Sequence, residues 1–300
     1  MELHAVCVGA GPAGLAAALT FGRMRRRVLV IDSGEPRNHY TAHLHNFPTR
    51  DGASPAELRR RMRADAERYP TVTFRDDRAL EARPQEGGIR LTLESGERVD
   101  ARRLVLAGGI RDTLPPIEGL AELFGTAVFT CPYCDGYEAG DAPLGLICTA
   151  PGQLAHAGGL LRMLSDDVTV FANGMPLDTD ELDAAGRLGL QVVAQPVARL
   201  ASTGGSLDGV VLADGTAQRC ERLFVPTEVH PSNRLAEQLG CAVTAEGFVE
   251  VDELGRTSVP RVYAAGDAAS PVHQAIVAAA SGTRAALAAN HDSIEAYELA

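Results

Sequence analysis

A short apolar run, Leu3 to Val8, leads into the cluster Gly9-Ala10-Gly11-Pro12-Ala13-Gly14 and then an Ala/Leu-rich stretch reaching about Met24. A continuous apolar run bounded by turn residues reads as a buried strand, and the stretch after the cluster reads as a helix. Val28 to Ile31 predicts the next strand, ending at Asp32, 18 residues beyond Gly14. Strand, glycine turn, helix and strand make one βαβ unit. In such a unit Gly9 permits the tight turn, Gly11 lets a pyrophosphate approach the backbone at the helix N-terminus, and Gly14 allows close helix–strand packing. An acid at the position of Asp32 suits a ribose hydroxyl. The pattern predicts a dinucleotide site without saying which dinucleotide.

The next segment, Asp32 to Gly52, is polar and turn-rich and holds His39, His43 and His45. His43 and His45 share one side of an extended chain, a spacing open to loop hydrogen bonding or to metal ligation. No Cys or carboxylate pattern accompanies them, so a metal site is not expected. The Arg run Arg23 to Arg27 and the Arg-rich helix Pro55 to Tyr69 read as solvated faces. Arg90–Leu93 and Arg98–Leu104 predict a hairpin about Ser95-Gly96, leading into a buried strand that ends at Gly108-Gly109. Pro115-Pro116 then breaks the pattern and marks a crossover. A second βαβ-like unit follows, with strands at Leu144–Cys148 and Val168–Ala172. The chain turns back near Ala242, and strands at Val249–Val251 and Arg261–Ala264 lead to Gly266-Asp267. The last helix is expected to begin near Pro271, with Ser270 as its N-cap. The expectation is an α/β protein of two Rossmann-like, three-layer domains, the second inserted in the first. Residues 1–115 and 244–300 would form one, and 116–243 the other.

At 300 residues, 45% hydrophobic and 22% charged, two globular domains are the natural reading. Its 28 basic and 39 acidic residues leave a net charge of −11, which argues against nucleic acid and anionic lipid as partners. All the basic residues are Arg, so Walker-lysine and Schiff-base chemistry are excluded. No apolar run is long enough to cross a bilayer, since Arg284 interrupts Ala275–Ala289, and the N-terminus does not read as a secretory signal. A cytoplasmic location is expected. Of 6 cysteines, Cys7, Cys148, Cys220 and Cys241 are scattered singly among apolar neighbours, as buried fillers are. Cys131 and Cys134 form the only C-x-x-C. Structural zinc needs four ligands and no second pair exists, so redox chemistry is the better reading. Pro132 suits a helix start, whose amides would favour a thiolate.

Together, GAGPAG at 9–14, CPYCDG at 131–136 and TSVPRVYAAGDAA at 257–269 resemble the low-molecular-weight thioredoxin reductase family over essentially the whole chain. The resemblance implies FAD, held by Gly9, Gly11, Pro12, Ala13 and Gly14, by Gly266 and Asp267, and by Asp32 at the adenosine ribose. It implies a homodimer as well. Cys131 would be the exchange thiol facing substrate and Cys134 the flavin-side thiol. Asp135 would carry protons, or else merely complement a helix dipole. His273-Gln274-Ala275 stands where the family has Arg-Gln-Ala beside the flavin, so His273 is either a flavin contact or a surface histidine.

The resemblance breaks at the second nucleotide site. There the turn reads Cys148-Thr149-Ala150-Pro151-Gly152-Gln153-Leu154, with a single glycine, and Val170-Phe171-Ala172-Asn173-Gly174 holds no cation for a 2′-phosphate. A nicotinamide-independent enzyme is therefore expected. Members resembling this pattern include dithiol oxidases that close disulfides in gliotoxin- and holomycin-type metabolites, and thioredoxin reductases fed by ferredoxin. The first expectation is oxidation of a small-molecule dithiol through Cys131/Cys134 and FAD to oxygen. Its alternatives are reduction of a thioredoxin-like protein by a ferredoxin-type donor, and a non-catalytic flavin-binding redox sensor.

Overall fold

The computed structural model describes residues 3–296. These residues divide into two compact units, one of 3–39, 46–111 and 229–296, the other of 40–45 and 112–228. The first unit opens with β1 (Leu3–Val8), α1 (Pro12–Arg23), β2 (Val28–Asp32), α2 (Pro55–Glu67) and β3 (Val72–Asp76). A meander follows: β4 (Ala79–Gln85), β5 (Gly88–Leu93) and β6 (Arg98–Leu106), then the crossover strand β7 (Ile110–Thr113).

The second unit contains α3 (Leu120–Leu123), β8 (Val128–Phe129), α4 (Pro132–Ala139), β9 (Leu144–Ile147), α5 (Gln153–Arg162), β10 (Val168–Phe171), α6 (Thr179–Arg187) and β11 (Gln191–Val193). Strands β12 (Val197–Thr203), β13 (Ser206–Leu212) and β14 (Ala217–Arg219) precede β15 (Arg222–Phe224). Its main sheet runs β11-β10-β9-β15-β8 with every pairing parallel, and β12-β13-β14 form a separate antiparallel sheet. The chain returns through β16 (Glu228–Pro231), which pairs with β7, and closes with α7 (Arg234–Leu239), β17 (Val262–Ala264) and α8 (Ala275–Glu295).

In the first unit the sheet order is β3-β2-β1-β6-β5-β4, with β17 also on β6. Strands β3, β2, β1, β6 and β17 are parallel, and β4–β6 are antiparallel. Alternation along β1 sends Ala5 and Cys7 into one core with Leu15, Phe21 and Ala285, and Val6 into another with Ile89, Leu91 and Leu239. Helices therefore cover both faces, the three-layer arrangement expected. Gly282 lets α8 lie against α1, because a Cβ there would stand 1.9 Å from the Ala13 carbonyl oxygen.

Three expectations change. The return crossing falls between residues 228 and 229 instead of near 244, because α7 packs Leu235, Ala236 and Leu239 into the first unit's core and Gln238 accepts the Ala82 N–H at 2.8 Å. Val249–Val251 is not a strand; Val249 makes a single bridge with Val243. The last helix begins at Ala275 with Gln274 as N-cap, and the Ser270 hydroxyl instead accepts the Val272 N–H at 3.1 Å, closing a local turn.

Candidate functional site

The first glycine turn is shaped by what its glycines exclude. Gly9 has φ +105°, and a Cβ there would meet the Ala107 carbonyl oxygen at 2.3 Å; one on Gly14 would meet the Gly9 carbonyl oxygen at 1.9 Å. Gly11, the N-cap of α1, has nothing within 4 Å of its Cβ position, leaving space in front of the helix N-terminus that Pro12 opens. Asp32 at the end of β2 accepts the Ala10 N–H at 3.1 Å, so the turn and its distal acid come together. Gly266, at φ +72°, donates its N–H to the Ser281 hydroxyl at 2.8 Å, and a Cβ on it would stand 2.9 Å from the Ala13 Cβ. Asp267 therefore lies in the same unit as the turn, 3.6 Å from Arg37. An open approach at Gly11, a helix N-terminus and close backbone packing at Gly9 and Gly14 fit the pyrophosphate of FAD.

Two cations at this site went unread in the sequence. Arg59 of α2 reaches the Asp32 carboxylate at 3.0 Å and the Ala10 carbonyl at 3.4 Å, and Arg37 meets Asp267. Arg60, Arg61 and Arg63 do lie on a solvated face, paired with Glu57 or Glu67 at i,i+3 or i,i+4. Arg59 has no acid at those spacings, and that difference was a usable signal. His273 precedes the N-cap of α8, its ring centroid 6.1 Å from that of Phe248, and Gln274 and Ala275 form the helix start.

In the second unit Cys131 is the N-cap of α4 and Pro132 its first residue. The Cys134 and Asp135 N–H groups both donate to the Cys131 carbonyl, at 3.0 and 3.2 Å, winding the C-x-x-C into the first turn. Cys131 and Cys134 are disulfide-bonded with Cα atoms 5.3 Å apart. Burial, reinforced by the Glu138 charge and opposed by that of His45, pushes the Asp135 carboxyl up to about 6. The His45 Nε2 lies 3.4 Å from the Glu138 carboxylate. Tyr133 and Tyr137 on the same helix are exposed. The remaining thiols are buried fillers, and burial pushes Cys7 and Cys220 up to about 12 and Cys148 to about 11.

The second glycine turn, after β9, is occupied by the chain itself. The Gln153 side-chain oxygen accepts the Thr149 and Ala150 N–H groups at 2.8 and 3.2 Å, and the Glu181 carboxylate accepts the Gly152 N–H at 3.0 Å. Beyond β10, Asn173 accepts the Val197 N–H at 2.9 Å. Among the described residues no group of three or more His, Cys, Asp or Glu side chains is gathered to hold a metal ion, and no helix is long and apolar enough to cross a membrane.

Residues 3–282 match the pyridine nucleotide-disulphide oxidoreductase family. Thioredoxin reductase tcpT of Claviceps purpurea is 31% identical over 276 residues, covering 88% of this chain and 86% of its own. Thioredoxin reductase sirT of Leptosphaeria maculans is 29% identical over 309 residues, covering 97% and 94%. Among solved structures, HlmI superimposes with a TM-score of 0.93 at 36% identity, over 98% of this chain and 93% of HlmI.

Proposed function

Because the chain belongs to the pyridine nucleotide-disulphide oxidoreductase family and is an FAD-dependent disulfide oxidoreductase, we propose that it oxidises dithiols through Cys131 and Cys134 without drawing on NADPH. The observation that carries this reading is the self-occupied second turn. Three amides that could face a nucleotide phosphate already bond to Gln153 and Glu181, and a carboxylate there repels phosphate. The first turn has its approach open and the redox pair is assembled.

A substrate thiolate attacks Cys131, forming a mixed disulfide and releasing Cys134 as thiolate. The second substrate thiolate attacks the substrate sulfur of that mixed disulfide, closing the substrate disulfide and releasing Cys131. Two electrons pass to the cysteine pair. Asp135, with a carboxyl that changes protonation near neutrality, accepts a proton from an incoming thiol and returns one to a leaving thiolate. The helix N-terminus at Cys131 favours the thiolate form. FAD, when bound, would supply a two-electron acceptor for the reduced pair, with oxygen as the final oxidant. Gly9, Gly11, Gly14, Asp32, Gly266 and Asp267 would hold it, with His273, Gln274 and Ala275 as further contacts. Tyr133 and Tyr137 give the redox helix an aromatic surface suited to a flat small-molecule dithiol. The reading includes a cytoplasmic homodimer.

A second reading reverses the electron flow, with a ferredoxin-type donor feeding reduction of a thioredoxin-like protein. The fungal relatives carry the name thioredoxin reductase, which speaks for the thioredoxin side of this reading and not for the donor. Anaerobic titration of the yellow protein with NADPH, a small dithiol and reduced ferredoxin, followed by oxygen, separates the two. Dithiol oxidation is expected to bleach the flavin with dithiol and restore it with oxygen, with peroxide released. Rapid bleaching by micromolar NADPH overturns the proposal. Replacing either cysteine by Ser should slow turnover by well over tenfold.

A further inference from the structure

The segment 40–45 leaves the first unit's sequence to join the second, and its anchoring gives it a purpose. The Tyr40 ring packs edge-on against Phe124 at 5.3 Å, the Tyr40 carbonyl fills the space a Cβ on Gly125 would need, and Leu44 is buried. These contacts fix the loop, and the residue they deliver is His45, with its ring at the Glu138 carboxylate, one helical turn from Asp135. We propose that His45 is a positioning residue for thiol–disulfide exchange: by holding Glu138, it governs the proton that Asp135 trades with the Cys131–Cys134 pair. The inference rests on the dithiol chemistry above and extends it to a residue outside the C-x-x-C motif.

The electrostatics around Asp135 agree with this geometry. Glu138 disfavours the carboxylate and His45 favours it. Of the other titratable groups nearby, Arg162 of α5 binds Asp166 and the Ser165 carbonyl, and His43, Asp141 and His156 are exposed. A loop that brought an apolar residue to this place would leave two carboxylates one turn apart on α4 with no opposing charge. The His45 ring at Glu138 offsets that crowding: it favours the Asp135 carboxylate, the form that accepts a proton from an incoming substrate thiol.

The test measures reduction of the Cys131–Cys134 disulfide in the FAD-loaded protein by excess dithiothreitol under nitrogen, from pH 4.5 to 8. Samples are quenched in acid, and the newly freed thiols are alkylated and counted by mass spectrometry. The wild-type rate is expected to carry an acid limb near pH 6, set by Asp135. His45→Gln should move that limb to higher pH by about one unit, and Glu138→Gln should move it lower by a similar amount. His45→Arg, which carries a permanent positive charge, should hold it at or below the wild-type position. In Asp135→Asn the limb should vanish, and adding His45→Gln should then change nothing. A limb that stays in place in His45→Gln, or that moves the same way in His45→Gln and Glu138→Gln, overturns the role of His45. A wild-type disulfide that dithiothreitol does not reduce at any pH overturns the dithiol reading itself.

Discussion

The two glycine turns of this chain sit in the same local setting, between a parallel strand and the helix that follows it, yet they treat their amides in opposite ways. At residues 9–14 the space before the helix is open, and the distal acid Asp32 is drawn to Ala10 with Arg59 beside it. At residues 148–154 the amides are closed off by Gln153 and by Glu181, itself placed by the Asp178 cap of α6. The same strand–turn–helix frame thus carries one open turn and one whose amides bond to the chain's own side chains. Even at exposed positions these amides take acceptors from the chain itself, one at the start of α5 and one on α6.

The harshest way to break this contrast is to place the same methyl group in both turns. Gly14→Ala should yield protein purified without flavin, because its Cβ would collide with the backbone of Gly9. Gly152→Ala meets nothing within 4 Å and bears only the strain of φ +82°, about 1 kcal/mol, so it should keep its flavin and lose a few degrees of melting temperature. Flavin absorbance per chain and thermal unfolding read both, and a yellow Gly14→Ala protein would contradict the assignment of the first turn.

Opening the second turn should have a smaller effect. Removing the side-chain acceptors with Gln153→Ala and Glu181→Ala frees three amides, and NADPH affinity measured by calorimetry should rise roughly tenfold from a weak baseline, about one charge-assisted hydrogen bond. Flavin bleaching by NADPH should remain slow, because Val170–Gly174 still lacks a cation. Rapid bleaching by the wild-type protein would erase the contrast altogether.

Arg59→Met tests the cation that the open turn keeps. Losing its bond to Asp32 should weaken FAD binding about tenfold, seen as faster flavin release by fluorescence, while Arg59→Lys should recover part of the loss. Unchanged release would make Arg59 a packing residue only. The gentlest test is chemical. After reduction, iodoacetamide should label Cys131 and Cys134 and spare Cys148 in the closed turn, whose thiol burial holds near 11. Early labelling of Cys148 would show that the second turn opens readily.

Much of the architecture was legible in local pattern. The strands at Leu3, Val28, Leu144 and Val168, the hairpin before Leu104 and the helix start at Pro132 all follow from apolar runs, turn residues and Pro placement, which act over a few residues. The misplaced start of α8 shows the limit of that reasoning. Ser270-Pro271 has the residues of a helix start, but a local turn takes the Ser270 hydroxyl and helical geometry waits until Ala275.

The sequence by itself determined the βαβ frame, the open glycine turn and the redox dithiol at a helix N-terminus. Each depends on residue type at short spacing, where backbone sterics and capping decide. Only the tertiary structure brought Arg59 to Asp32, Glu181 to Gly152, Gln238 to Ala82 and His45 to Glu138. These partners are 27, 29, 156 and 93 residues apart, and charges or amides so distant in sequence meet only after sheet order and helix packing have fixed where each surface lies.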